Sequence, residues 1–193
     1  MSYVLFGGVF DPPHAGHMEI ARAALKELAP EKIFWIPSKN PPHRQVEGEQ
    51  ADVRFLMLKE WAGRSGGPHE ISDIEIRDGH SGYTVETVES FSALFPGKKL
   101  YLLVGSDEAE CFQSWKDWER ILELAELAVA RRKKETVIPG SVSGRAVMLH
   151  NRIVKCCSTE IRRRLRESEP VDECLDPVIY RYIKNLGLYK QNH

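Results

Sequence analysis

Val4-Leu5-Phe6-Gly7-Gly8-Val9-Phe10-Asp11-Pro12-Pro13-His14-Ala15-Gly16-His17 decides the fold. An apolar run, a glycine pair, Asp-Pro and a His-x-Gly-His unit follow one another and lead into helical periodicity. A buried strand, a tight glycine turn and a helix start, in that order, make an anion site. Glycines let backbone N–H groups approach a phosphate, and a first helical turn supplies unpaired donors and partial positive charge. His14 and His17, at i and i+3, would point from one face of that turn into the same space.

Working outward, Met18, Ala21, Leu25 and Leu28 recur at helical spacing, which predicts a helix over 15–28 that stops before Pro30. Residues 32–36 read as a second apolar strand. Strand, helix and strand in succession form a βαβ unit, which implies a parallel sheet with a right-handed crossover. Lys39-Asn40-Pro41-Pro42-His43-Arg44 is too proline-rich for regular structure and follows the carboxyl end of that strand, where open α/β sheets bind ligands.

A second helix is expected over 51–63, with Val53, Leu56, Met57 and Trp61 inward, and residues 71–76 alternate as a half-exposed third strand. Ser81-Gly82-Tyr83-Thr84 turns into a helix with Val85, Val88, Phe91 and Phe95 on one face. Residues 99–104 form a fourth, central strand ending in Gly105-Ser106-Asp107-Glu108. One helical region is expected to carry Phe112, Trp115, Trp118, Ile121 and Leu122, before a fifth strand at 127–130 that ends at Arg131-Arg132. After a loop over 132–144 come strand fragments at 146–149 and 153–154, a helix capped by the Ser158 hydroxyl with Leu165 inside, and a last helix. That last helix opens on Asp176-Pro177, places Val178, Tyr182, Ile183 and Leu186 on one face and stops at Gly187. The expected fold is α/β, a Rossmann-like parallel sheet flanked by helices. It forms a single domain, 1–193, whose small C-terminal helical part covers 156–193.

The 193 residues fit one ordinary domain. Lys and Arg number 27 against 28 Asp and Glu, a formal net charge of -1, so the bulk footprint of a nucleic-acid binder is missing. No apolar run approaches the roughly 18–20 residues that span a bilayer, and the sequence opens directly on a strand pattern, so no signal peptide is expected. Four cysteines stand at 111, 156, 157 and 174. Adjacent Cys156 and Cys157 are poor disulfide partners, so reduced thiols in a cytoplasmic protein are expected.

Each chemical constellation has an ordinary alternative. His14 and His17 fit phosphate contact, since an imidazole N–H can donate to a phosphoryl oxygen; zinc lacks a third ligand, and cap plus surface residue is the plain reading. Ser158, Thr159 and Arg162 are either a helix start with a surface Arg or the far end of a polyphosphate site. Asp107 is a helix cap or a ribose ligand, and Trp115 and Trp118 share a helix side as core or as a ligand platform. Arg131, Arg132, Lys133 and Lys134 are a solvated loop or attract a polyanion.

The glycine-to-histidine stretch resembles the signature of the nucleotidyltransferase superfamily, and Cys157-Ser158-Thr159-Glu160-Ile161-Arg162 resembles its second signature. Pro37-Ser38, 40–44, 81–87, Gly105-Ser106-Asp107, Trp115 and 182–189 look like the bacterial nicotinate mononucleotide adenylyltransferase family. The resemblance implies transfer of an adenylyl group from ATP to nicotinate mononucleotide, giving deamido-NAD and pyrophosphate. It also implies Mg²⁺ carried by the ATP phosphates, with no protein metal ligand and no covalent enzyme intermediate.

Carried over residue by residue, His14, His17 and Arg162 would be catalytic. Gly7, Gly8, Val9, Phe10, Gly105, Asp107, Arg131, Ser158 and Thr159 would bind ATP beside them. Ser38, Asn40, Arg44, Tyr83, Thr84, Thr87 and Trp115 would bind the mononucleotide, with Trp115 stacked on the pyridine ring. Val9 stands where the first signature usually has Thr or Ser, and Cys157 where the second has Ser. The same chemistry on nicotinamide mononucleotide or another phosphorylated acceptor, or a non-catalytic nucleotide-binding module, are the alternatives. Nucleic acid and membranes are not expected partners, and a homo-oligomer is compatible with the sequence.

Overall fold

The apolar runs become strands of one parallel sheet. In the computed structural model, which describes residues 1–39, 48–133 and 137–190, these are β1 Ser2–Gly8, β2 Lys32–Pro37, β3 His69–Ile71, β4 Lys99–Gly105, β5 Ala125–Ala130 and β6 Ala146–Met148. Their order is β3-β2-β1-β4-β5-β6, and Leu5 of β1 lies opposite Phe34 of β2 and Leu102 of β4. The order reverses between β1 and β4, the switch point at whose carboxyl ends doubly wound sheets open a crevice.

Helices α1 Ala15–Leu28, α2 Ala51–Ser65, α3 Thr84–Leu94, α4 Ser106–Glu110, α5 Trp118–Leu124, α6 Gly140–Ser143, α7 Ser158–Arg166 and α8 Pro177–Leu186 surround the sheet. Alternation along the strands divides the core in two. Val4, Phe6 and Trp35 pack with Ile20, Met57, Ile161 and Ile183 from α1, α2, α7 and α8. Tyr3, Leu5 and Phe34 pack with Val88, Phe91 and Ile121 from α3 and α5. Among the described residues no helix is long and apolar enough to cross a membrane.

Several expectations change. Gly7 and Gly8 belong to β1, and the turn follows them: Phe10 has a left-handed φ of 52° and the Asp11-Pro12 peptide is cis. The third strand covers only His69–Ile71, because the Ser72 amide makes the last contact with β2, to the Trp35 carbonyl, before the chain turns at Asp73. The single helix expected around Trp115 and Trp118 is α4, a 3₁₀ turn Phe112–Ser114 and α5, divided by Asp117 at a φ of 51°. Residues 153–154 are not a strand. Leu56 and Leu186 face solvent, while Arg54, Leu58 and Ile179 are inside, a rotation of each helix about its axis.

Cys157, with no capping side-chain bond, stands at the N-cap of α7, and Ser158 is its first residue. Gly105, not Asp107, is the N-cap of α4. The expectation of four reduced thiols is also corrected: Cys156 and Cys174 form a disulfide with Cα atoms 5.7 Å apart, while Cys111 and Cys157 are free. Adjacency ruled out the 156–157 pair alone. The chain returning from α7 brings Cys174 beside Cys156, within the spacing a disulfide requires.

Candidate active site

The carboxyl ends of β1 and β4 open onto a cleft of about 810 Å³, within the usual size of ligand pockets. A Cβ on Gly8 would come 2.9 Å from Phe10 Cζ, so the Phe10 ring lies on the bare glycine backbone. A Cβ on Gly16 would come 3.0 Å from the His14 ring, which is why that imidazole can fold back onto its own helix.

Both imidazoles are set by that fold. Gly16 N–H donates to His14 Nδ1 at 3.1 Å, and His14 N–H donates to His17 Nδ1 at 3.2 Å. With both Nδ1 atoms accepting, each neutral ring carries its proton on Nε2. The rings lie 3.8 Å apart, centroid to centroid. Burial pushes His14 down to about 4, with Arg132 acting the same way. Burial, then His14 and Arg132, hold His17 well below the ordinary histidine value. Two neutral N–H donors therefore stand at the cleft at neutral pH.

The backbone donors differ from expectation. At α1, Ala15 N–H is taken by the Cys174 carbonyl at 2.8 Å and Gly16 N–H by His14. The open helix start is at α7, whose N-cap offers no side-chain acceptor. It is fastened to the phosphate turn: Ser158 Oγ donates to the Pro12 carbonyl at 3.1 Å, and Arg162 Nη1 donates to the Asp11 carbonyl at 2.8 Å.

Residues given no role by the sequence reading hold the turn. Arg54, 1% exposed, donates to the carbonyls of Val9, Ser38 and Glu49, the last two at 2.7 and 2.9 Å. The buried Asp11 carboxylate accepts from Tyr189 Oη at 2.7 Å and Glu49 N–H at 3.1 Å, and lies 3.6 Å from Arg162. Arg54 carried one readable signal, a charge on the inward face of an otherwise apolar helix stripe. Asp11 and Tyr189 stand in stretches that carry the resemblance, but nothing in the sequence joins them across 178 positions.

At the other end, Ser38 N–H donates to the Gly8 carbonyl at 3.0 Å, and Tyr83, Thr84, Thr87 and Trp115 line the cleft. Lys116 Nζ sits 4.4 Å from the centre of the Tyr83 ring. Thr87 Oγ1 donates to buried Glu75 Oε1 at 2.7 Å and lies 3.2 Å from His80 Nε2. Burial pushes the Glu75 carboxyl up to about 7, with the Thr87 hydroxyl opposing. Asn151 clamps the cleft-lining Arg131, accepting from its N–H at 2.8 Å and donating to its carbonyl at 2.9 Å.

The cleft thus brings together Gly7, Gly8, Val9, Phe10, His14, His17, Arg131, Ser158, Thr159 and Arg162 with Ser38, Tyr83, Thr84, Thr87 and Trp115. Gly105 and Asp107 are not part of its lining; Asp107 is exposed and paired at 3.2 Å with Arg132, which is. Asn40 and Arg44, expected at the mononucleotide, and Lys134 lie outside the described residues.

The family described as cytidylyltransferase-like matches residues 5–164. Proteins named "Probable nicotinate-nucleotide adenylyltransferase" from Clostridium tetani and Borrelia hermsii are 33% and 34% identical to this chain. The alignments cover 96% and 98% of it and 98% of each relative. Plasmodium falciparum nicotinic acid mononucleotide adenylyltransferase, solved in complexes with APC and with NaAD, superposes with a TM-score of 0.76 in both. Those pairs are 17% and 18% identical and cover 97% of this chain and 96–97% of the other, a shared fold. The chain belongs to the cytidylyltransferase-like family and groups with its nicotinate-nucleotide adenylyltransferases.

Proposed function

We propose that this cleft transfers the adenylyl group of ATP to nicotinate mononucleotide, giving deamido-NAD and pyrophosphate in NAD synthesis. The observation that carries this reading is the pair of neutral imidazole Nε2–H donors, with the open start of α7 and Arg162, in one cleft with Trp115. A phosphate oxygen of the mononucleotide attacks the α-phosphorus of ATP, and the bond to the bridging oxygen breaks as pyrophosphate leaves. Such a reaction needs alignment and charge stabilisation rather than a protein nucleophile.

His14 and His17 donate to the phosphates, His17 to the reacting group, where fixed donors stabilise developing charge. Ser158, Thr159 and Arg162 hold the far phosphates, with Arg131 beside them. Gly7, Gly8, Val9 and Phe10 form the floor, while Gly105 and Asp107, outside the lining, act on the ribose side through Arg132, the lining residue that lies against both. Tyr83 and Thr84 receive the ring that Trp115 covers, with Ser38 and Thr87 near it. Val9 keeps its carbonyl bond to Arg54, so losing the usual hydroxyl leaves the turn in place.

The donors at the phosphate end are N–H, guanidinium and hydroxyl groups, and no group of three or more His, Cys, Asp or Glu able to hold a metal occurs among the described residues. N–H, guanidinium and hydroxyl groups suit phosphate oxygens, and Mg²⁺ carried by those phosphates would neutralise charge on the leaving pyrophosphate. Residues 1–193 act as one domain, with 156–193 its C-terminal helical part, and the balanced charge suits work on small molecules. The test is pyrophosphate release with ATP, Mg²⁺ and each mononucleotide. Release with the acid supports the proposal, faster turnover of the amide reassigns the substrate, and tight ATP binding without release overturns catalysis in favour of a binding module.

A further inference from the structure

Glu75 is 7% exposed, and its surroundings fix the state of each neighbour. Gly82 N–H donates to His80 Nδ1 at 2.9 Å, so the ring proton of His80 sits on Nε2. That N–H faces Thr87 Oγ1 at 3.2 Å, which commits the Thr87 proton to Glu75 Oε1 at 2.7 Å. Oε1 is therefore an acceptor already in use. Oε2 has no hydrogen-bond partner among the described residues, although Glu75 lines the cleft. A buried carboxyl oxygen without a protein partner is half of a hydrogen bond whose other half is supplied from the cleft.

Its place suggests the partner. Thr87 stands one turn after Thr84 on α3, so the two share a helix face. No side chain caps α3, and its N-terminus favours an anion. On the adenylyl-transfer reading above, on which this inference rests, the pyridine substituent of the mononucleotide comes to this corner under Trp115. We propose that Glu75 Oε2 reads that substituent: as a carboxylic acid it donates to the carboxylate of the acid mononucleotide, and as a carboxylate it repels that group and accepts from the carboxamide N–H of the amide. Glu75 is then a specificity residue whose preference follows its own protonation.

The burial that raises Glu75 to about 7 populates both forms near neutrality. The ionisable groups around it act less directly. His80 reaches it only through Thr87, and Glu86 of α3 lies 3.6 Å from His80 Nδ1. Lys116 sits over Tyr83, and His14 and His17 on α1 stay neutral through this range.

The measurement is the ratio of kcat/KM for the acid mononucleotide to that for the amide, by pyrophosphate release at saturating ATP, from about pH 5.5 to about pH 8.5. Titrations shared by both substrates cancel in this ratio. The wild-type ratio is expected to fall roughly tenfold or more as pH rises, the size of a lost charge-assisted hydrogen bond. Glu75→Gln keeps an acceptor for Thr87 and presents an N–H at the Oε2 position at every pH, so its ratio should stay flat and favour the acid. A flat wild-type ratio overturns the proposal even if the variant does not fold. So does a Glu75→Gln profile that tracks the wild type, or an equal loss for both substrates. Pyrophosphate from neither substrate would overturn the adenylyl-transfer reading, and this one with it; turnover with a flat ratio overturns this one alone.

Discussion

Arg162 Nη1 donates to the main-chain oxygen of Asp11 at 2.8 Å and lies 3.6 Å from its carboxylate, joining the two signature segments across 151 positions of sequence. Both side chains are buried, and removing one partner of a buried ion pair strands the other. Arg162→Ala should therefore lower unfolding stability by about 3–5 kcal/mol in urea titrations. A loss below about 1 kcal/mol would mean that Tyr189 and Glu49 satisfy Asp11 without it.

His17→Ala should lower kcat by about 10²-fold or more, as loss of a transition-state donor does. Rapid-quench turnover and ATP titration separate the roles: a change in ATP affinity alone would reduce His17 to a binding group. His14→Ala also frees the Gly16 amide that its ring caps and should cost about 1 kcal/mol of stability besides.

Glu75 gives a stability signature as well as a kinetic one. Its folded value of about 7 lies above the ordinary 4.5, so its contribution is complete below 4.5 and is lost as pH rises through about 7. Histidines held low act in the other direction, losing stability as pH falls from 6.5 towards 4, but they are common to wild type and variant. Glu75→Gln should therefore gain roughly 3 kcal/mol relative to wild type between those limits, followed by urea midpoints at successive pH values. A constant difference would place the Glu75 carboxyl outside this range.

Trp115 packs on Phe112 at a centroid distance of 5.1 Å and lines the cleft, so Trp115→Ala leaves the core behind it in place. The KM for the mononucleotide should rise by about tenfold, the worth of a lost aromatic contact, with the KM for ATP nearly unchanged. Equal increases would place the ring on both substrates.

Cys174→Ser opens a loop of 18 residues and should lower stability by roughly 3 kcal/mol by chain entropy. Reductant added to the wild type should produce the same fall in the urea midpoint, and no response would mean that the two thiols are not joined in solution.

The sequence makes the sheet legible because most of its signals are local. Helical recurrence from Met18 to Leu28 and the apolar runs around it suffice for the first βαβ unit, and α1 falls on Ala15–Leu28. Where alternation had two causes, the reading failed. Ile74 packs into the core and Glu75 into the cleft, so 72–76 keeps the alternation after β3 has ended at Ile71. Trp115 and Trp118 keep helical spacing although Asp117 breaks the helix between them. Motif residues were found because their spacing is local, whereas Arg54 and Asn151 act through carbonyls and amides brought near only by the completed fold. The donors at α1 were misjudged for the same reason: Ala15 spends its amide on Cys174, which no local pattern announces.

The Tyr189 hydroxyl that closes on Asp11 has a consequence for biosynthesis. A ribosome makes the glycine-to-histidine stretch first, yet its carboxylate waits for a partner that emerges 178 codons later. A growing chain can pair its early strands, but its cleft lacks this brace until Tyr189 has been added. A fragment that stops short of Tyr189 would therefore carry the turn with its buried carboxylate one donor short.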